Sequence, residues 1–186
     1  TNDGTGGFTE MMGTTFTGVT DSSIAFADVD GDNDQDLLIT GANGSYIRIS
    51  KLYTNDGTGS FTEIIGTPFE NVDRSSIAFA DVDGDNDQDI LITGLTSALQ
   101  SISKLYTNDR TGKFTVMTGT PFEGVSYSSI AFADVDGDND QDVLITGSTG
   151  VLRRISKLYT NDGTGSFTEM TGTLFEGVRD SSIAFA

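Results

Sequence analysis

The chain has 186 residues, with 28 acidic against 10 basic side chains and a formal charge of −18, which argues against direct affinity for nucleic-acid phosphates or an anionic membrane surface. It has no Cys and no His, so thiol nucleophiles, disulfides, imidazole bases and the usual zinc ligands are excluded. No apolar run approaches the roughly 18 residues of a spanning helix, and the opening residues resemble neither a secretion signal nor an initiator.

The chain opens on the turn signal Thr1-Asn2-Asp3-Gly4-Thr5-Gly6, followed by a short strand-like stretch around Phe8. Ser23-Ile24-Ala25-Phe26-Ala27-Asp28 then alternates small or polar residues with large apolar ones, which predicts strand A with Ile24 and Phe26 on one face. An acidic loop, Asp28 to Asp36, leads to Leu37-Leu38-Ile39-Thr40, a short apolar run that predicts strand B, buried on both sides. Ile49-Ser50-Lys51-Leu52-Tyr53 alternates again as strand C, up to the turn Asn55-Asp56-Gly57. Phe61-Thr62-Glu63-Ile64-Ile65 is strand D, and Gly66-Thr67-Pro68-Phe69 leads on to a second copy. No window supports an amphipathic helix.

The whole pattern repeats with a period of 53 residues. The copies are 1–53, 54–106 and 107–159, with a partial copy at 160–186, and all 12 Phe fall on three columns of the repeat. Near-identity leaves no domain boundary inside 1–186, so the chain is expected to be a single repeat array. Read in strands it is D, then ABCD three times, then A. Four short strands per repeat predict an all-β protein of β-propeller-type blades, three complete and one partial at each end. Three blades fall short of the roughly 4–8 of closed propellers. The chain therefore reads as a window of a longer array, or as a subunit completed by its neighbours.

The acidic loop carries the chemistry. Asp28, Asp30, Asp32, Asp34 and Asp36 occupy alternate positions, and the loop recurs unchanged as Asp81, Asp83, Asp85, Asp87, Asp89 and as Asp134, Asp136, Asp138, Asp140, Asp142. Five carboxylates in nine residues repel one another, and hard oxygen ligands at this spacing are what Ca²⁺ requires. By analogy with EF-hand loops, positions 1, 3 and 5 offer side-chain oxygens, position 7 its backbone carbonyl, and position 9 a carboxylate, directly or through water. The loop is not an EF-hand: position 12 is Ile39, and strands flank it. One Ca²⁺ per complete repeat, three in the chain, is the expectation.

Three stretches, Phe26 to Gly41 (FADVDGDNDQDLLITG), Lys51 to Glu63 (KLYTNDGTGSFTE) and Thr67 to Val72 (TPFENV), resemble the FG-GAP/VCBS-type repeats, the family that includes integrin α-subunit propellers and many bacterial surface proteins. The resemblance extends over essentially the whole chain. It implies calcium-stabilised propeller blades and an extracellular location. Family loops usually carry Gly at position 6, where this chain has Asn33, Asn86 and Asn139; Asn tolerates positive φ, so the turn is expected to survive.

No catalytic constellation is visible. Ser22 and Ser23 lack a histidine base, the close carboxylate pairs belong to the metal loop, and Lys51, Lys104 and Lys157 read as solvated or salt-bridged strand charges. The copies differ mainly at 42–48 and 17–21 and their equivalents, which an up-and-down blade places on the face opposite the acidic loop and the NDGTG turn. The expected function is non-enzymatic adhesion or structural assembly outside the cell, without membrane insertion. Expected partners are further copies of the chain, more of the same parent chain, or a cell-surface protein or glycan. A carbohydrate-binding module and a non-catalytic domain of a secreted enzyme are the rival readings. The resemblance favours a closed ring; the lack of a distinctive end sequence favours an open filament.

Overall fold

Alternation and turn chemistry resolve into twelve strands and no helix among the described residues, which in this computed structural model are 3–11, 13, 16–150, 153–173 and 175–185. Thr1 and Asn2 of the opening turn, Val151 and Leu152 of the third variable stretch, and the final Ala186 lie outside them. The first repeat forms β1 (Val19–Ala27), β2 (Asp36–Asn43), β3 (Arg48–Asn55) and β4 (Phe61–Ile64). The second forms β5 (Val72–Ala80), β6 (Asp89–Thr96), β7 (Ser101–Thr107) and β8 (Thr115–Val116). The third forms β9 (Ser126–Ala133), β10 (Asp142–Ser148), β11 (Arg154–Asn161) and β12 (Phe167–Glu169).

Each repeat is an antiparallel meander in chain order, as its tight turns demand. The strands fall into an eight-stranded and a four-stranded sheet. That division is one residue pair deep: Ile49 pairs with Val72 and joins the first two meanders, while the equivalent Ile102–Val125 and Ile155–Val178 pairs stand as isolated bridges. Strand B is buried along its length, as its unbroken apolar run predicts.

Strand A is longer than its alternation suggests. It begins at Val19 instead of Ser23 because a bulge interrupts the register between Thr20 and Ser23. Asp21 takes φ 49° there, and Arg74, Tyr127 and Asp180 take 50°, 50° and 52° at the equivalent places. The bulge has a packing consequence: it aims the following serine at the preceding repeat. Ser75 Oγ lies 2.8 Å from Thr40 Oγ, Ser128 Oγ 2.7 Å from Thr93 Oγ, and Ser181 Oγ 2.9 Å from Thr146 Oγ.

Consecutive repeats also share aromatic clasps. Phe69, just past β4, sets its ring edge-on to Tyr106 of the next repeat at 5.0 Å and tilts against Phe114 at 5.2 Å. Phe16 does the same to Tyr53 and Phe61, and Phe122 to Tyr159 and Phe167. Such pairs contribute about 0.5–1.5 kcal/mol beyond their area burial. They place two of the three Phe columns in core packing within the array, while Phe8, Phe26, Phe175 and Phe185 toward its ends are exposed.

Position along the array decides burial. Ile77 and Ile130 are 8% and 7% exposed because the preceding repeat covers them, whereas Ile24 of the first repeat is 61% exposed. At the other end Val135 is 37% exposed, against 1% for its equivalents Val29 and Val82.

Candidate metal loops and their neighbours

The three acidic loops join strand A to strand B in each repeat. Their backbone is shaped by their own carboxylates. In the first loop Asp28 accepts hydrogen bonds from Gly31 N at Oδ1 (2.8 Å) and from Asn33 N at Oδ2 (2.9 Å), and Asp32 Oδ1 accepts one from Asp34 N (2.9 Å). The middle loop repeats this with Asp81, Gly84, Asn86, Asp85 and Asp87, and the third with Asp134, Gly137, Asn139, Asp138 and Asp140. Asn33, Asn86 and Asn139 adopt φ 70°, 65° and 74°, so Asn does make the sixth-position turn.

Position 9 has a second duty. Asp36 accepts Val29 N at Oδ2 and Asn55 N at Oδ1, both at 2.8 Å, and so staples the loop's start to the end of strand C. Asp89 and Asp142 make the equivalent pairs. The loops also touch the following repeat: Asn108 Nδ2 donates to Val29 O and Asn161 Nδ2 to Val82 O, each at 2.8 Å.

Positions 1, 3 and 5 converge in the first two loops. Asp28, Asp30 and Asp32 each bring one carboxylate oxygen within 4.8 Å of the others, as do Asp81, Asp83 and Asp85. In the third loop the converging set is Asp134, Asp136 and Asp142, without Asp138. Asp34, Asp87 and Asp140, at position 7, lie outside these clusters; Asp34 and Asp140 rest against the C–D turn, since a Cβ on Gly57 or Gly163 would collide with them.

A divalent cation fits this donor set on one specific observation. Asp30 Oδ1, Asp83 Oδ1 and Asp87 Oδ1 are buried with no hydrogen-bond partner, whereas the carboxylates of positions 1 and 9 are held by backbone N–H groups. A buried, unpaired carboxylate oxygen is costly. The titration directions report that cost: burial, then the charge of Asp32, raises Asp30, and burial, then Asp85, raises Asp83. Burial, contact with Asp85 and the surrounding charges push Asp87 up to about 7, and burial pushes Asp89 up to about 6. Asp134 runs the other way, held low first by the backbone N–H of Gly137.

A pH dependence follows. Asp87 and Asp89 bind protons more tightly folded, near 7 and 6, than at the ordinary 3.8. Between those limits the native state holds more protons than the unfolded chain, so stability falls as pH rises. In cation-free buffer, urea midpoints are expected to be higher at about pH 5 than at about pH 8, with most of the change between the two raised values and the unfolded one. Equal midpoints would show that the loops are not strained by their charge.

The lysines of strand C are ion-paired. Lys51 and Lys157 reach Glu63 and Glu169 across to strand D at 2.8 Å, and Lys104 reaches Glu70 of the preceding repeat at 2.8 Å. The variable stretches meet away from the loops: Arg48 Nε lies 3.1 Å from Asp73 Oδ1, and Ser50 Oγ donates to Glu70 O. Sequence reasoning missed Arg110, which replaces glycine in one copy of the NDG turn; that exchange was its only signal.

Residues 28–92, which contain the first two acidic loops and the strands between them, match the FG-GAP-like repeat. This segment is similar to FG-GAP-type repeats. The third loop, Asp134 to Asp142, has the same sequence as the first two. No curated protein matches the chain. Eighteen solved chains do. Among them is an exo-β-1,3-galactanase from Phanerochaete chrysosporium, crystallised with β-1,3-galactotriose, at 13% identity and TM-score 0.46. The match covers 87% of this chain and 39% of the galactanase, so the chain spans well under half of that enzyme's length. No helix among the described residues is long and apolar enough to cross a membrane.

Proposed function

We propose that this chain is a non-enzymatic, calcium-stabilised array of propeller-type FG-GAP blades that serves adhesion or structural assembly outside the cell. The carrying observation is the set of buried, unpartnered carboxylate oxygens at Asp30, Asp83 and Asp87. Asp28, Asp30 and Asp32 would hold the ion in the first loop, Asp81, Asp83 and Asp85 in the second, and Asp134, Asp136 and Asp142 in the third, while position 9 would also fix each loop around it. Bound Ca²⁺ would neutralise the mutual repulsion that otherwise opens each loop.

The assembly role draws on the ends. Ile24 and Phe26 at one end, and Val135 and Phe185 at the other, are exposed at positions that neighbouring repeats cover in the interior. Interior contacts between near-identical repeats are equivalent, so a further repeat, from another copy or from more of the parent chain, has the right shape for both ends. Equivalent head-to-tail contacts either close a ring or extend as a filament. Light scattering in calcium tests this. The chain is expected to associate with rising concentration, and Ile24→Ser with Phe26→Ser to suppress it. A stable monomer at all concentrations would contradict the assembly role.

A second reading, carbohydrate binding, is favoured by a crevice of about 530 Å³ between the first and middle loops, lined by Asn33, Gln35, Gln88 and Arg110. Planar amides and a guanidinium suit vicinal hydroxyls. Glycan-array binding abolished by Gln35→Ala would favour it.

A further inference from the structure

The three acidic loops have one sequence, so any difference between them is imposed from outside. Position 7 carries such a difference. In the first and third repeats Asp34 and Asp140 lean on the glycine of the neighbouring turn: a Cβ on Gly57 would stand 2.4 Å from Asp34 Oδ2, and one on Gly163 2.6 Å from Asp140 Oδ2. The middle repeat has Arg110 at that turn position, at φ 61° where the two glycines take 74° and 75°. Its Cβ occupies the space that those carboxylates use.

Asp87 responds. It is only 7% exposed, and its Oδ1 is buried without a hydrogen-bond partner. It stands outside the converging trio, as Asp34 and Asp140 do, but its side chain lies against Asp85, a member of that trio. Arg110 is itself fastened: Nη2 donates to Asp85 O at 2.9 Å and to Asn86 O at 2.6 Å. A Cβ on Gly31 of the preceding loop would stand 3.0 Å from Arg110 Cγ, so the stem lies on that glycine. A non-glycine residue in the left-handed region costs about 1 kcal/mol that the sister copies avoid. The guanidinium contacts offset that strain.

We infer that Arg110 makes the middle loop a different and tighter divalent-cation site, in which the Asp87 carboxylate joins a ligand set that the other two loops build without their seventh side chain. This rests on the calcium reading above. Affinity in oxygen-ligand loops rises with charged-ligand count and with rigidity. Asp87 supplies the first, and the Arg110 tie across the loop rim supplies the second. The guanidinium charge opposes the ion, but it is exposed and directed at two carbonyl dipoles, so solvent screens it.

Calcium titration calorimetry of the full chain in cation-depleted buffer tests the inference. The wild type is expected to bind one ion about tenfold more tightly than the other two. Arg110→Gly, which restores the residue of the sister copies, merges the three into one class. Asp87→Asn abolishes the tight class, while Asp34→Asn leaves it intact. Three equal sites in the wild type, or a tight class that survives both Arg110→Gly and Asp87→Asn, would overturn the inference and leave the calcium reading standing. No calcium uptake by the wild type would remove both.

Discussion

Calcium at about 10 mM is expected to raise the melting temperature of the chelated protein by roughly 15–30 °C. Binding to the native state alone at about a hundred times Kd stabilises by about 2.7 kcal/mol per site, and a site in the 10⁻⁴ M range reaches that ratio here. Three sites give about 8 kcal/mol, and each kcal/mol moves the melt by roughly 2–4 °C in a domain of this size. The physical source is the loop itself, where five carboxylates share nine residues and Asp30 Oδ1 is buried without a partner. Asp30→Ala removes one orphaned charge. It is expected to reduce the calcium-dependent gain by about a third, while leaving the chelated protein no less stable. Differential scanning calorimetry with and without chelator reads both effects. A melt unaffected by chelation would contradict them.

Gly94→Ala is expected to destabilise the fold by about 3 kcal/mol or more, summing backbone strain and overpacking of roughly 1–3 kcal/mol each. Gly94 takes φ 152°, opposite the bulge of β5, and a Cβ there would lie 2.8 Å from Val72 Cβ and 2.9 Å from Asp73 O. Val72 is fully buried, so neither neighbour can yield cheaply. Gly66→Ala is the control. Gly66 also has positive φ, 85°, but nothing lies within 4 Å of the added methyl, so its cost stays near 1 kcal/mol. Urea unfolding separates the two. Equal losses would show that the bulge does not pin the glycine.

These two cases mark where the sequence was legible. The loop's shape was readable because its spacing is local: the side chains of Asp28, Asp30 and Asp32 converge as their alternation suggests, and Asn33 takes the left-handed turn expected of it. Strand B was readable because an unbroken apolar run must be buried on both sides. The bulge was not readable, because its cause lies between repeats: Ser75 reaches Thr40 thirty-five residues away, and nothing in Thr20-Asp21-Ser22-Ser23 announces that partner. The stapling role of Asp36 was hidden for a similar reason, since Asn55 N meets it only after strands B and C have paired. Arg110 was visible as a single departure from a repeated Gly, yet its effect on Asp87 depends on side-chain space that spacing does not encode. Alternation correctly put Ile24 and Phe26 on one face, but neighbouring repeats decide whether that face is covered.

The most direct measurement is anomalous diffraction from crystals of the chain grown in calcium. One anomalous peak is expected in each of the three loops, coordinated by carboxylates of positions 1, 3 and 5 in the first two and of positions 1, 3 and 9 in the third, with the Asp87 carboxylate as an added ligand in the middle loop only. Loops that hold no anomalous scatterer at saturating calcium, with Asp30 Oδ1 and Asp83 Oδ1 bonded to water or protein instead, would contradict it.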